Sequence, residues 1–213
     1  MNVRPLILIG GGGHCKAVID VAETAGYTIL GILEIPEDVG KNVLAYKIIG
    51  TDEDIPFYVD KADFIVTVGF IKSPELRIKI HRRVIESGGR LATIIASTAH
   101  VSQYATIREG TVVMHHAVIN ACALVGFGCI INTFCNIEHD VQIGDYCHIS
   151  TGVMINGNCK VGANTFIGSQ SVMVNGMSAP GNSVFAAASM IRKSFEKEGI
   201  YAGNPAVLMI RRE

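Results

Sequence analysis

From Val101 onward the chain places a branched aliphatic at every sixth residue: Val101, Ile107, Val113, Ile119, Val125, Ile131, Ile137, Ile143, Ile149, Ile155, Val161 and Ile167, with Met173 next in register. Four residues after each stands a side chain that is small or β-branched, among them Ala117, Ala123, Cys129, Cys135, Cys147, Cys159 and Ser171. A period of six with these two alternating slots suits a triangular β-solenoid. Each six-residue unit is a short strand and a corner, three units close one 18-residue coil, and coils stack as parallel strands about 4.7–4.9 Å apart. Residues 101–172 then make four coils, followed by a partial coil, a break near Asn175 to Asn182, a helix-like polar stretch from Met190 to Lys197 and an irregular tail from Gly199.

That repeat assigns most of the cysteines. Cys129, Cys135, Cys147 and Cys159 fall in the small inward slot, where a thiol packs as a small hydrophobe. The chain has 6 cysteines and no CxxC pair, and disulfides persist only in oxidising compartments. The apolar stretch at Leu6–Ile9 runs into Gly10 too early for a signal peptide, and no apolar run approaches the ~20 residues of a membrane span. The expectation is a soluble cytoplasmic protein with no membrane partner. With 18 Lys+Arg against 19 Asp+Glu, the net charge of −1 leaves no field for a nucleic acid.

Residues 1–96 follow a different pattern from 97–213. Pro5 to Ile9 reads as a strand, Gly10 to Gly13 as a turn, Cys15 to Ala25 as a helix with Ala17, Val18, Val21 and Ala22 inward, and Thr28 to Leu33 as a second strand. Asp63 to Val68 is a further strand, followed by a helix over Pro74 to Glu86 with Ser73 at its N-cap, and by Leu91 to Ile95. This is a small Rossmann-like α/β domain with a parallel sheet, whose ligands belong beyond the carboxyl ends of the strands. Gly10 and Gly12 do not complete a dinucleotide fingerprint, because Cys15 stands where Gly or Ala is needed. Glycines ahead of a helix N-terminus still let a backbone approach a diphosphate, and Glu34 at the end of the second strand is an acceptor for a ribose hydroxyl or a base. The same glycines also serve a bare strand-to-helix turn.

On the solenoid, ionisable groups stand out. In Asn136-Ile137-Glu138-His139-Asp140-Val141 the imidazole has a carboxylate neighbour, and His148 follows half a coil later. A neutral imidazole can take a proton from a nucleophile while a carboxylate on its other nitrogen fixes the tautomer, so His139 and Asp140 are the candidate base and partner. A solvated turn pair is the simpler alternative for such a dipeptide.

The glycine-rich βαβ start with His14, the hexapeptide solenoid, Ile131-Asn132-Thr133 followed by Ile137-Glu138-His139-Asp140, and Tyr201-Ala202-Gly203-Asn204-Pro205-Ala206 together resemble the NeuD/PglD-type sugar acetyltransferases over nearly the whole chain. The resemblance implies a left-handed parallel β-helix, a homotrimer, and acetyl transfer from acetyl-CoA to a nucleotide-linked amino sugar (UDP, dTDP or GDP) or to a sialic acid hydroxyl. It implies His139 as base with Asp140 beside it, and His148, Gly157 and Asn132 on the acetyl-CoA side, Gly157 through its N–H. It implies Gly11, Gly12, Gly13, His14, Glu34, Gly69 and Arg77 on the nucleotide-sugar side, and no metal. Glu34-Ile35-Pro36, where relatives carry paired Asp, and Phe70 after Gly69, where relatives carry Asn or Asp, depart from the family pattern.

Three alternatives remain at this level. A sugar O-acetyltransferase uses the same pair on a hydroxyl. A zinc hydrase needs three converging histidines, which the gaps from His115 to His139 and from His139 to His148 do not suit. A non-catalytic trimeric nucleotide-sugar binder is the third, since an intact solenoid needs no catalytic base to fold. A thiol nucleophile at Cys122 or Cys135 requires activation that the sequence does not suggest. Lys193, Arg211 and Arg212 form a basic end able to attract CoA phosphates or simply to face water.

Overall fold

The computed structural model describes residues 4–211. Two compact units emerge: residues up to Gly69 together with Glu75–Ser97, and Phe70–Pro74 together with residues from Thr98 onward.

In the first unit, β1 (Leu6–Ile9), α1 (Gly13–Thr24), β2 (Ile29–Leu33), β3 (Asn42–Val43), β4 (Tyr46–Gly50), the short α2 (Ile55–Tyr58), β5 (Asp63–Val66) and α3 (Glu75–Glu86) follow in order. The sheet runs β3-β4-β2-β1-β5, parallel except for the β3–β4 hairpin. Leu6, Ile7, Leu8 and Ile9 are all buried, as befits a central parallel strand covered on both faces. Helix α1 buries Cys15, Val18, Ile19, Val21 and Ala22. Val18, Val21 and Ala22 face inward as expected, while Ala17 is exposed and Ile19 is buried instead. The strand β4 has no counterpart in the sequence reading. The stretch from Leu91 shortens to Ile94–Ile95, with Leu91 bridging Phe64.

The second unit is the solenoid, a left-handed parallel β-helix of two-residue strands. Register steps by 18: Ile119 pairs with Ile137 and Ile137 with Ile155 on one face, Val125 with Ile143 on the next, and Ile131 with Ile149 on the third. These aliphatics are 0–4 % exposed. At every corner one residue lies in the left-handed region, in six-residue steps from Gly110 (φ 71) through His116, Cys122, Gly128, Phe134 and Asp140 to Ala188 (φ 58). Asn, Asp and Gly suit such corners and β-branched residues do not, which explains why the corner position carries no Val, Ile or Thr.

The small slot has a chemical requirement beyond size. Cys135 Sγ donates to Ser150 O at 3.0 Å, Cys147 Sγ to Gly162 O at 3.1 Å and Cys159 Sγ to Val174 O at 3.0 Å. Thr111, Thr165 and Ser171 make the same bond with their hydroxyls. Burial pushes the Cys135 thiol up to about 12 and the Cys15 thiol up to about 11 from an ordinary 9.0. A thiol whose folded pKa is raised gives stability that is complete below its unfolded value of 9.0 and is lost as pH rises through the folded value. Melting temperature should therefore hold up to pH 9 and fall above it, and an aromatic disulfide reagent at pH 8 should label Cys122, the exposed thiol, and reach the other five only after unfolding. Rapid labelling of several thiols in native protein would contradict the packing described.

The coils continue past the expected break. Ala179, Phe185 and Ile191 keep the six-residue step, in strands Ser178–Ala179, Val184–Phe185 and Met190–Ile191. The inward slot holds the buried Ala179 and Phe185 in place of branched aliphatics, so the apolar pattern fades while the geometry persists. The stretch from Met190 holds a strand instead of a helix. The tail from Gly199 is ordered: Gly199–Ala202 pairs in parallel with Val184–Phe185, and Val207–Arg211 folds back antiparallel on it. Phe185 stacks on Tyr201 at 4.8 Å beneath this cap. No described helix is long and apolar enough to cross a membrane.

Candidate functional site

At the carboxyl end of the first unit's sheet, Gly10 (φ 107) turns the chain from β1 toward α1, and a Cβ there would meet Val68 Cγ2 at 2.6 Å. Gly12 is the N-cap of α1 without a side-chain cap, its carbonyl accepts the Cys15 N–H at 3.1 Å, and a Cβ on Gly12 or Gly13 would meet nothing within 4 Å. A Cβ on Gly11 would lie 3.4 Å from Glu34 Cγ, and one on Gly69 would lie 3.8 Å from the His14 ring. The structure thus pairs Gly11 with Glu34 and His14 with Gly69 at one edge of the unit.

Glu34 stands between two cavities. One, of about 260 Å³, has apolar walls of Ile9, Ile35, Leu76 and Ile80, with Asp52 and Arg83 at its rim. The other, of about 310 Å³, includes Gly11, Lys16 and Lys41. Arg83 Nη2 pairs with Glu53 Oε2 at 2.5 Å, which holds the Glu53 carboxyl below its usual range, while burial raises that of Asp52. Arg77 lies behind the lining: it is 1 % exposed, and its Nη1 donates to Val66 O at 2.6 Å and to the O of Val68, a residue of the first cavity's wall, at 3.0 Å. Its Nη1 anchors the end of β5 and lines neither cavity.

On the solenoid, His139 Nδ1 and Asp140 Oδ2 are 2.8 Å apart on an exposed corner. Asp140 takes φ 59, and this corner conformation belongs to the turn that places its carboxylate beside the preceding ring. With Nδ1 engaged, Nε2 is the nitrogen left for proton transfer. One coil further on, Gly157 lies against the ring: a Cβ there would sit 2.6 Å from His139 Cε1 and 2.7 Å from Nε2. Gly157 is the residue that lets the imidazole lie flat on the solenoid. Among the described residues no main-chain carbonyl accepts the Gly157 N–H.

Glu138, which sequence reasoning passed over, is gripped by Asn136 Nδ2 at 2.9 Å and Asn120 Nδ2 at 3.0 Å. The Asn136 amide, then Asn120 and the neighbouring His139, hold its carboxyl below the usual range. The signal was the 18-residue step from Asn120, which puts the two in one column. Asn132 and His148 come together on another face, Nδ2 to Nε2 at 3.3 Å. Among the described residues no three His, Cys, Asp or Glu groups converge as a metal site. Near the C-terminal cap, Lys193 lies over the Phe195 ring, 5.6 Å from its centroid. Arg212 and the Arg211 side chain lie outside the described residues.

Two family models match the chain: the PglD N-terminal domain over residues 5–84 and the bacterial transferase hexapeptide (six repeats) over residues 123–157. The structure is similar to PerB from Caulobacter crescentus, solved in complex with CoA and GDP-perosamine, at 26% identity and a TM-score of 0.90, covering 96% of this chain and 97% of that one. It is similar to the acetyltransferase domain of PglB from Neisseria gonorrhoeae FA1090, solved in complex with acetyl coenzyme A, at 28% identity and a TM-score of 0.90, covering 98% and 100%. WeeI from Acinetobacter baumannii AYE shares the fold at 16% identity and a TM-score of 0.86.

Proposed function

We propose, for a chain that belongs to the NeuD/PglD-type sugar acetyltransferases, that it transfers the acetyl group of acetyl-CoA to the amine of a nucleotide-linked amino sugar. The observation that carries the chemistry is the His139–Asp140 pair lying on Gly157. Nε2 of His139 takes a proton from the sugar nitrogen as that nitrogen bonds the thioester carbon, and Asp140 stabilises the imidazolium through Nδ1. The carbonyl oxygen gains charge, which the Gly157 N–H is placed to stabilise. Collapse breaks the C–S bond and releases CoA with the proton returned to sulfur. No acyl-enzyme is needed, and Cys135 does not serve as a nucleophile: it is buried, with its thiol pushed up to about 12.

On this reading Gly11, Gly12, Gly13, His14, Glu34 and Gly69 receive the nucleotide sugar, with the diphosphate at the start of α1. Arg77 supports that rim from below. Asn132, His148 and Gly157 form the acetyl-CoA side. The acceptor nitrogen is a 4-amino group of a deoxy sugar destined for a surface glycan such as lipopolysaccharide or O-antigen, and the reaction takes place in the cytoplasm, where acetyl-CoA is made. The protein works as a homotrimer: the outward column His100, Val118, Asn136, Met154, Val172 and Met190 carries four apolar side chains on one solenoid face, of which Met154 is 46% exposed, and a neighbouring copy would cover them. Sedimentation should give three times 22.8 kDa.

The deciding experiment is free-CoA release, followed with a thiol reagent after subtracting the Cys122 signal, from acetyl-CoA mixed with 4-amino-sugar nucleotides or with sialic acid. Release with an amino-sugar nucleotide is expected. Release with sialic acid alone would move the reaction to O-acetylation, and binding of nucleotide sugar with no release from any acceptor would make the protein a binding module.

A further inference from the structure

Four polar groups of the solenoid unit form a chain whose donors and acceptors are determined in turn. The Thr133 N–H donates to Asn132 Oδ1 at 2.8 Å. A main-chain N–H can only donate, so the amide cannot be flipped without setting NH₂ against N–H, and Nδ2 must face His148 Nε2 at 3.3 Å. Nε2 is then the acceptor and carries no proton. The ring proton is on Nδ1, which donates to the Phe70 carbonyl at 2.7 Å. The imidazole is fixed further by Phe166 and Phe70, edge-on at 5.1 and 5.7 Å.

We propose that His148 is a positioning residue, which orients the Asn132 amide for acetyl-CoA and pins the Phe70–Pro74 segment to the solenoid without itself contacting the thioester. The inference rests on the acetyl-transfer reading above. Its physical basis is that the neutral ring has one N–H, already given to Phe70 O, and that Nε2 is occupied by the Asn132 amide. Neither nitrogen has a hydrogen left to offer a thioester oxygen. A protonated ring would set Nε2–H against the amide NH₂, so the chain of bonds selects the neutral form.

The test is acetyl-CoA binding by calorimetry to the full-length protein, its Asn132→Ala and His148→Phe variants, and the double variant. Phenylalanine keeps the edge contacts with Phe166 and removes both hydrogen bonds. Each single variant is expected to bind about 5–20-fold more weakly, the value of one or two hydrogen bonds, and the double variant no more weakly than Asn132→Ala to within about twofold, because His148 acts through Asn132. Losses that multiply in the double variant would show direct contact by His148 and overturn the proposal, as would wild-type affinity in either single variant. Wild-type protein that does not bind acetyl-CoA at all would instead sink the acetyl-transfer reading and this inference with it. Should His148→Phe fail to fold, neutron diffraction of the wild-type protein decides the point: deuterium on Nδ1 is required, and deuterium on Nε2 refutes it.

Discussion

His139→Ala should lower kcat for acetyl transfer by about 10²–10⁴-fold, the range for loss of a positioned general base, while the coils stay folded. The ring is exposed and its partner Asp140 is exposed beside it, so its removal opens no cavity in the core. Acetyl-CoA affinity should change little, which separates a chemical role from a binding one. Asp140→Asn should cost less than His139→Ala, because the amide still meets Nδ1 but no longer offsets the imidazolium charge. The measurement is steady-state CoA release with circular dichroism and sedimentation as controls for fold. Wild-type turnover in His139→Ala would remove the base from the mechanism, and the Gly157 site with it.

Gly144→Val should have the largest effect on stability, about 3 kcal/mol or more, well into the overpacking range. A Cβ at Gly144 would lie 2.5 Å from Ala163 N and 2.9 Å from its Cα, and one at Gly126 would lie 2.5 Å from Gly144 C. These neighbours are backbone of the next coil, held by the 18-residue register on both sides, and they have no side-chain freedom with which to yield. A branched residue adds two more carbons in the same space. At Gly157 the obstacle is a side chain, the His139 ring, so a residue there would displace the base and spare the coil. Chemical denaturation should therefore show Gly144→Val strongly destabilised and Gly157→Ala nearly as stable as wild type but far less active. The opposite order would contradict the contacts described.

The solenoid was legible because a period of six in Val and Ile has few other structural meanings, and His139 with Asp140 was legible because the pair is adjacent in sequence. What was hidden depended on compensation or on distance. The coils from Ala179 to Ile191 keep their geometry with residues that a pattern of branched aliphatics does not recognise. The bond between His148 and Phe70 joins residues 78 apart, and no local signal announces it. Arg77 was expected on the nucleotide-sugar side by resemblance, and its bonds to the Val66 and Val68 carbonyls join residues 11 and 9 apart that no sequence pattern links. The inward face of α1 was legible in Val18, Val21 and Ala22, and only Ala17 proved to be exposed.

The corner residues at positive φ recur without a skipped step from Gly110 to Ala188. A chain with this regularity tolerates length changes only in quanta. Losing a single residue anywhere within it would slide every downstream corner onto the small inward slot that follows it, setting β-branched residues such as Val141, Val153 or Thr165 where the backbone must turn left-handed. Removing or duplicating a whole 18-residue coil would instead leave all seams matched, shortening or lengthening the column by about 4.8 Å, one strand spacing. The variation such a molecule can accumulate in length is thus digital, and the spacing between His139 and the C-terminal cap is the dimension along which it would change.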